Sequence, residues 1–307
     1  MGCQEELLVQ KVCEIYEKIA CLDCLKPSKD VNLLFTQLVD LCIPPSSIDV
    51  TKLNKNMQEM RSNLIRLCGE AEGHLESHFS TLLASTYQNP ILHLRLFPYY
   101  QNYLDLTQLE YSLLSEYCVC LPSSVAFVGS GPLPLTSIVF TLNHLPFASV
   151  HNYDIDASAN LKAHCLVSHD PNLSKRMFFH TTDIMGVSEG LKDYDVVFLA
   201  ALVGLDMDEK LLIINHLAKF MAPGALLMLR SAHGARGFLY PLVNLQDIQG
   251  LEVLKVFHPT NEVINSVVVA RKSSTMIYPS LDHKPPTMSR WKHCFSKDEK
   301  KNGRTGH

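Results

Sequence analysis

The chain has 307 residues, 47% of them hydrophobic and 19% charged, with a mean hydropathy of +0.05. That composition builds a sizeable core and excludes a disordered polymer, and a length near twice the usual domain of roughly 150 residues predicts two domains or one elaborated α/β domain. A formal charge of −4 excludes a general phosphate-backbone binder, so no nucleic-acid partner is expected.

The N-terminus alternates charged and apolar residues from Gln4 to Asp23, which is no secretory signal. Met1-Gly2-Cys3 lacks the Ser or Thr of a myristoylation motif, because Glu6 stands at that place. The longest apolar run, Val196 to Leu205, is ten residues. A bilayer requires about 20, so no membrane association is expected. The ten cysteines are mostly scattered. Cys21-Leu-Asp-Cys24 has no second pair at zinc spacing and precedes no βαβ unit, so the cysteines read as reduced, in a cytoplasmic protein.

Residues 5–118 carry helical periodicity, and we place an all-helical cap or bundle domain at 1–120. Leu8, Val12, Ile15 and Ile19 form one stripe, and Leu34, Leu38 and Leu41 another, ended by Pro44-Pro45. A longer helix carries Leu53, Met57, Met60, Leu64, Leu67, Ala71, Leu75, Phe79 and Leu82, and one more runs from about Leu104 to Tyr117. His74 and His78 share a face of the long helix, but no third ligand pattern accompanies them and no metal is expected.

From Leu121 the period changes. Strand patterns at 124–128, up to Asp156, at 177–182, 195–202 and 225–231 alternate with helical stretches to about 145 and at 157–168, 207–221 and 238–248. This regularity predicts an α/β, doubly wound parallel sheet over 121–272. The last strands, 251–258 and 266–271, have too short a link for a parallel crossover and should form an antiparallel hairpin. Residues 271–307 hold nine Lys or Arg against three Asp or Glu, and 273–307 read as a flexible basic tail.

Gly129-Ser130-Gly131 follows the first of these strands, where a backbone without Cβ approaches a nucleotide. Asp154 ends the second strand, placed to accept ribose hydroxyls, and Asp183 ends the third on the same rim. Turn glycines and capping aspartates would look the same. Pro134 replaces the third glycine of a dinucleotide fingerprint and disfavours a pyrophosphate.

The strand series ending in a hairpin resembles the class I S-adenosylmethionine (AdoMet) methyltransferase fold over about 122–271, although Phe127 stands where that family often has an acid. The blocks Phe127-Val-Gly-Ser-Gly-Pro-Leu-Pro134, Asn152-Tyr-Asp-Ile-Asp156, Leu199-Ala-Ala-Leu-Val-Gly204 and Arg230-Ser-Ala-His-Gly-Ala-Arg236 resemble the plant nicotianamine synthases. Asn89-Pro-Ile-Leu92 and Phe97-Pro-Tyr-Tyr-Gln-Asn-Tyr103 extend the resemblance into the helical half, whereas Gly237 departs from an expected Ala. It implies iterative transfer of the 3-amino-3-carboxypropyl group: three AdoMet molecules condense into nicotianamine and release three methylthioadenosines, with no cofactor beyond AdoMet and no metal. Gly129, Ser130, Gly131, Asp154, Asp183 and Ala200 would hold AdoMet.

Such chemistry needs a base for the attacking amine. Glu76, matched through Glu72-Gly-His-Leu-Glu76, is the first candidate and Tyr103 the second. A solvated helix face would explain Glu76 equally well. Arg230 and Arg236 are candidate clamps for substrate carboxylates, with His233 between them. Two other readings stay open: a small-molecule AdoMet-dependent methyltransferase, and a non-catalytic nucleoside-binding protein whose helical half engages a partner.

Overall fold

The N-terminal stripes become four helices: α1 (Cys3–Ala20), α2 (Lys29–Cys42), α3 (Lys55–Thr86) and α4 (Tyr100–Tyr117). Two of them start at a capping side chain. Ser28 caps α2 by accepting from Val31 N, and Asn54 caps α3 by accepting from Met57 N. In this computed structural model residues 2–273 are described, so the basic tail expected beyond them lies outside the described residues.

The second half is a seven-stranded sheet. In chain order it runs β1 (Ser124–Val128), α5 (Leu135–Val139), β2 (Ser149–Asp154), α6 (Ala157–Ser168), α7 (Leu173–Arg176), β3 (Met177–Thr181), β4 (Val196–Leu199), α8 (Met207–Phe220), β5 (Leu226–Ser231), β6 (Leu251–Phe257) and β7 (Ser266–Lys272). The strand order is β3-β2-β1-β4-β5-β7-β6, parallel through β5, with β7 antiparallel between β5 and β6. This is the AdoMet methyltransferase-like arrangement, hairpin included.

Alternation along the strands divides the core between the two sheet faces. Val125, Phe127, Phe198 and Met228 face α4 and the end of α3. Ala126, Val197, Leu199 and Leu227 face Ile213, Ile214 and Leu217 of α8. A further cluster joins Val12, Ile19, Leu38 and Leu64 of the N-terminal helices to Phe238 and Leu239, which follow β5.

That cluster corrects one expectation. Residues 238–248 form no α-helix: there is a 3₁₀ turn at Gly234–Phe238, extended chain, then another turn at Leu245–Asp247. Pro241 removes an N–H, clashes with the carbonyl four residues back and restrains Tyr240 from the helical region. Phe238, 0% exposed, is instead drawn down against the N-terminal helices.

Phe198 packs between Phe127, stacked 5.6 Å away, and Phe140, tilted against it 4.9 Å away, at the sheet centre. Its replacement by Ala leaves a cavity beneath the site, and urea denaturation should show a loss of about 3–5 kcal/mol.

Candidate active site

The carboxyl ends of β1 to β5 open into a cavity of about 810 Å³ whose other wall is built by α2, α3, α4 and Tyr240. This lies near the top of the ordinary range for small-molecule pockets, roughly 300–1,000 Å³. At the β1 end, Gly129 and Gly131 both adopt positive φ, 79° and 68°. A side chain at Gly131 would place its Cβ 2.6 Å from Glu76 Oε2, so conformation and close approach both require glycine there. Ser130 Oγ is buried and has no hydrogen-bond partner among the described residues.

Asp154 fixes this loop. One carboxylate oxygen accepts Gly131 N at 2.8 Å and the other accepts Asp156 N at 2.9 Å. Asp183 caps the turn after β3 by accepting Met185 N, and Ala200 lines the cavity where β4 ends. All six residues expected to hold AdoMet therefore share one cavity wall, with the capping role realised as well.

The helical wall brings the charge. α3 is long enough to carry its apolar stripe past the sheet and still aim Glu76, 8% exposed, over the glycine loop. Tyr103 Oη lies 2.9 Å from Glu76 Oε1 and 3.3 Å from Glu72 Oε1, and the Tyr240 hydroxyl donates to Glu72 Oε2 at 2.9 Å. Burial and then the like charge of Glu72 push the Glu76 carboxyl well above the usual range, against the Tyr103 hydrogen bond. Burial also raises Glu72, opposed by the bonds from Tyr240 and Tyr103. Tyr103 is held well above an ordinary phenol by burial and by both carboxylates, so it stays a hydroxyl.

Arg230 reaches the same cavity from β5. Its Nε and Nη2 bond the two Glu110 oxygens at 2.7 and 2.9 Å, and Nη2 also donates to Thr136 Oγ1 at 2.7 Å. Among the described residues Nη1 makes no hydrogen bond. The guanidinium lies 5.3 Å from the Phe127 ring, which occupies the position where related folds often carry an acid.

Arg236 and His233 do not join this cavity. Arg236 spends its guanidinium on the carbonyls of Pro259, Ile43 and Asn261, holding the chain after β5 to the helical half. His233 stacks on His258 at 4.0 Å in a separate cleft of about 320 Å³. His74 pairs with Glu70 at 3.8 Å, and among the described residues no group of three His, Cys, Asp or Glu could hold a metal ion.

Sequence reasoning did not single out Glu72, Tyr240, Glu110 or Lys210. A Glu one turn before Glu76 was the available signal for Glu72. Nothing in the sequence marks Lys210, whose ammonium is buried beneath the β4–α8 loop and donates to the carbonyls of Ala200, Ala201 and Val203 at 3.0, 2.8 and 2.8 Å. Burial pushes it down to about 7.

Glu110→Ala strands the Arg230 guanidinium in the core, and denaturation at pH 7 should show a loss of about 3–5 kcal/mol. Glu76→Gln should instead stabilise the protein. A carboxyl whose pKa is raised by folding binds its proton more tightly folded than unfolded. It therefore costs stability as pH climbs from the unfolded value near 4.5. Denaturation at pH 5 and pH 7.5 should show the variant's advantage widening with pH.

Comparison with known proteins fits this architecture. A family model described as "Nicotianamine synthase protein" matches residues 2–277. "Probable nicotianamine synthase 4" of Arabidopsis thaliana is 61% identical over 272 residues, covering 88% of this chain and 84% of its own. The nicotianamine synthase of Solanum lycopersicum is 58% identical over 275 residues, covering 90% and 86%. Among solved structures, MtNAS in complex with MTA and tNA superposes with a TM-score of 0.71 at 20% identity, covering 89% of this chain and 99% of that one. A mutant of MtNAS in complex with S-adenosylmethionine gives 0.70 at 21% identity, covering 86% and 98%. With the family pattern matched along all but the last residues, this chain belongs to the nicotianamine synthase family.

Proposed function

We propose that the protein condenses three AdoMet molecules into nicotianamine and releases three methylthioadenosines: two steps each transfer a 3-amino-3-carboxypropyl group to an amine, and a third closes an azetidine ring within the product chain. The observation that carries this reading is one cavity in which the nucleoside-type strand-end crevice faces the buried Glu76–Tyr103 pair. AdoMet is the substrate, and no further cofactor enters the reading.

The fit starts with charge. AdoMet carries a sulfonium and an ammonium, and the cavity wall supplies Glu72, Glu76 and Asp154. An approaching cation favours the ionised form of a buried carboxyl, so substrate binding itself converts Glu76 into a base. Asp154 keeps lone pairs beyond its two backbone bonds for ribose hydroxyls, and the glycine loop leaves room for the nucleoside to lie against the backbone. Asp183 and Ala200 complete that rim. Arg230 offers its remaining edge to a substrate carboxylate, a role Arg236 and His233 do not take in this reading.

In the chemical step the α-ammonium of one AdoMet loses a proton to Glu76. The nitrogen lone pair attacks the methylene beside the sulfur of another. The carbon–sulfur bond breaks with its electron pair going to sulfur, and a neutral thioether leaves. The sulfonium makes the leaving group good already, so the protein's contribution is placement and deprotonation. Tyr103 orients the Glu76 carboxylate without ionising.

Among the described residues no helix is long and apolar enough to cross a membrane, and eight cysteines are free thiols. Both support a reaction in the reducing cytoplasm.

Purified protein given AdoMet alone should yield methylthioadenosine and nicotianamine at three to one by mass spectrometry. Glu76→Gln should lower turnover by roughly 10²–10⁴-fold while AdoMet affinity holds. S-adenosylhomocysteine appearing only after a cell extract is added would instead make the protein a methyltransferase. Unchanged function in the variant would favour the binding protein.

A further inference from the structure

The hydrogen-bonded chain in the cavity holds one carboxylate more than a single base requires. Glu72 and Glu76 sit one helical turn apart on α3, and the Tyr103 hydroxyl stands between them, 3.3 Å from one and 2.9 Å from the other. A phenol has one hydrogen and two lone pairs, so it can accept a proton from one carboxyl while giving its own to the other.

The stoichiometry of the proposed reaction makes that arrangement useful. Every condensation breaks one ammonium N–H bond, forms one N–C bond and breaks one C–S bond. One sulfonium charge disappears and one proton is set free. A lone carboxylate holds a single proton, so a second condensation in the same chamber would find its base spent.

We propose that Glu72 is the second proton acceptor of the reaction: Glu76 takes the proton from the attacking amine and hands it through the Tyr103 hydroxyl to Glu72, which restores Glu76 for the next condensation. This rests on the aminocarboxypropyl reading above. In the transfer the Glu76 O–H gives its proton to Tyr103 Oη as the Tyr103 O–H gives its own to Glu72 Oε1. Glu76 ends ionised, Glu72 neutral and the tyrosine unchanged.

The transfer leaves the net charge of the two carboxyls unchanged, and its direction is set by the next substrate, whose ammonium at Glu76 favours the ionised form of that carboxyl. The Tyr240 hydroxyl, donating to the far oxygen of Glu72, keeps the near oxygen turned to Tyr103. Glu72 acts on the reacting atoms only through Tyr103 and Glu76, so it is a positioning residue.

The test is a rapid-quench time course of the full chain with AdoMet, counting methylthioadenosine, nicotianamine and the once-condensed intermediate in wild type, Glu72→Gln and Tyr103→Phe. Glu72→Gln should lower kcat for nicotianamine roughly tenfold or more with KM for AdoMet little changed. The intermediate should accumulate and the ratio of methylthioadenosine to nicotianamine should rise above three. Tyr103→Phe keeps both carboxylates but cuts the link, and should give the same excess. It decides the matter alone if Glu72→Gln does not fold. A purely structural role would slow every step together, and a ratio of three in both variants overturns the proposal while leaving the reaction intact. A wild-type protein that releases no methylthioadenosine from AdoMet alone overturns the reaction, and the proposal with it.

Discussion

The bidentate pair between Arg230 and Glu110 sets the register of the helical half on the sheet. Arg230 is 6% exposed at the end of β5, and Glu110, 1% exposed, comes from α4. Two opposite charges this deep are tolerated only in good geometry, because desolvation penalises both partners and removing either leaves an uncompensated ion. The pair therefore admits one seating of α4. Tyr103, Thr107 and Glu110 recur on one face of that helix, and Thr107 Oγ1 bonds back to the Tyr103 carbonyl. Fixing Glu110 thus delivers the Tyr103 hydroxyl to Glu76.

The cavity that results is expensive to fold. Glu72, Glu76 and Asp154 converge against apolar walls, and burial raises both glutamates. In the proposed reaction a cationic substrate offsets that cost, so the charges that destabilise the free protein are the ones assigned there to bind a sulfonium and deprotonate an amine. Lys210 belongs to the same economy of buried groups. It satisfies three loop carbonyls at once and braces the wall at Ala200 and Val203, while Val203 in turn fills the space a side chain at Gly129 would need.

Helical periodicity sufficed for α1 to α4, and the β-α alternation with its short final link sufficed for the sheet and its hairpin. The 238–248 stretch reads as helical from its local pattern, but Pro241 interrupts it, and the N-terminal cluster that draws in Phe238 and Leu239 is far away in sequence. Arg230 and Arg236 look alike in the sequence, six residues apart. Their surroundings separate them, one ending in the cavity and the other bonded to three carbonyls.

The sequence by itself determined the layers and the positions of the glycine loop and Asp154, because both follow from local period and from turns at strand ends. The family resemblance singled out Glu76 and Tyr103. Only the tertiary structure decided that Glu76 is buried rather than solvated, that Glu72 and Tyr240 complete a chain with it, and that Glu110 holds Arg230. Those facts depend on groups that meet across 27 residues for Tyr103 and Glu76, 168 for Tyr240 and Glu72 and 120 for Arg230 and Glu110. A pattern along the chain reports which face of an element is apolar. The polar group that will stand opposite a given side chain is set by packing, which the pattern does not encode.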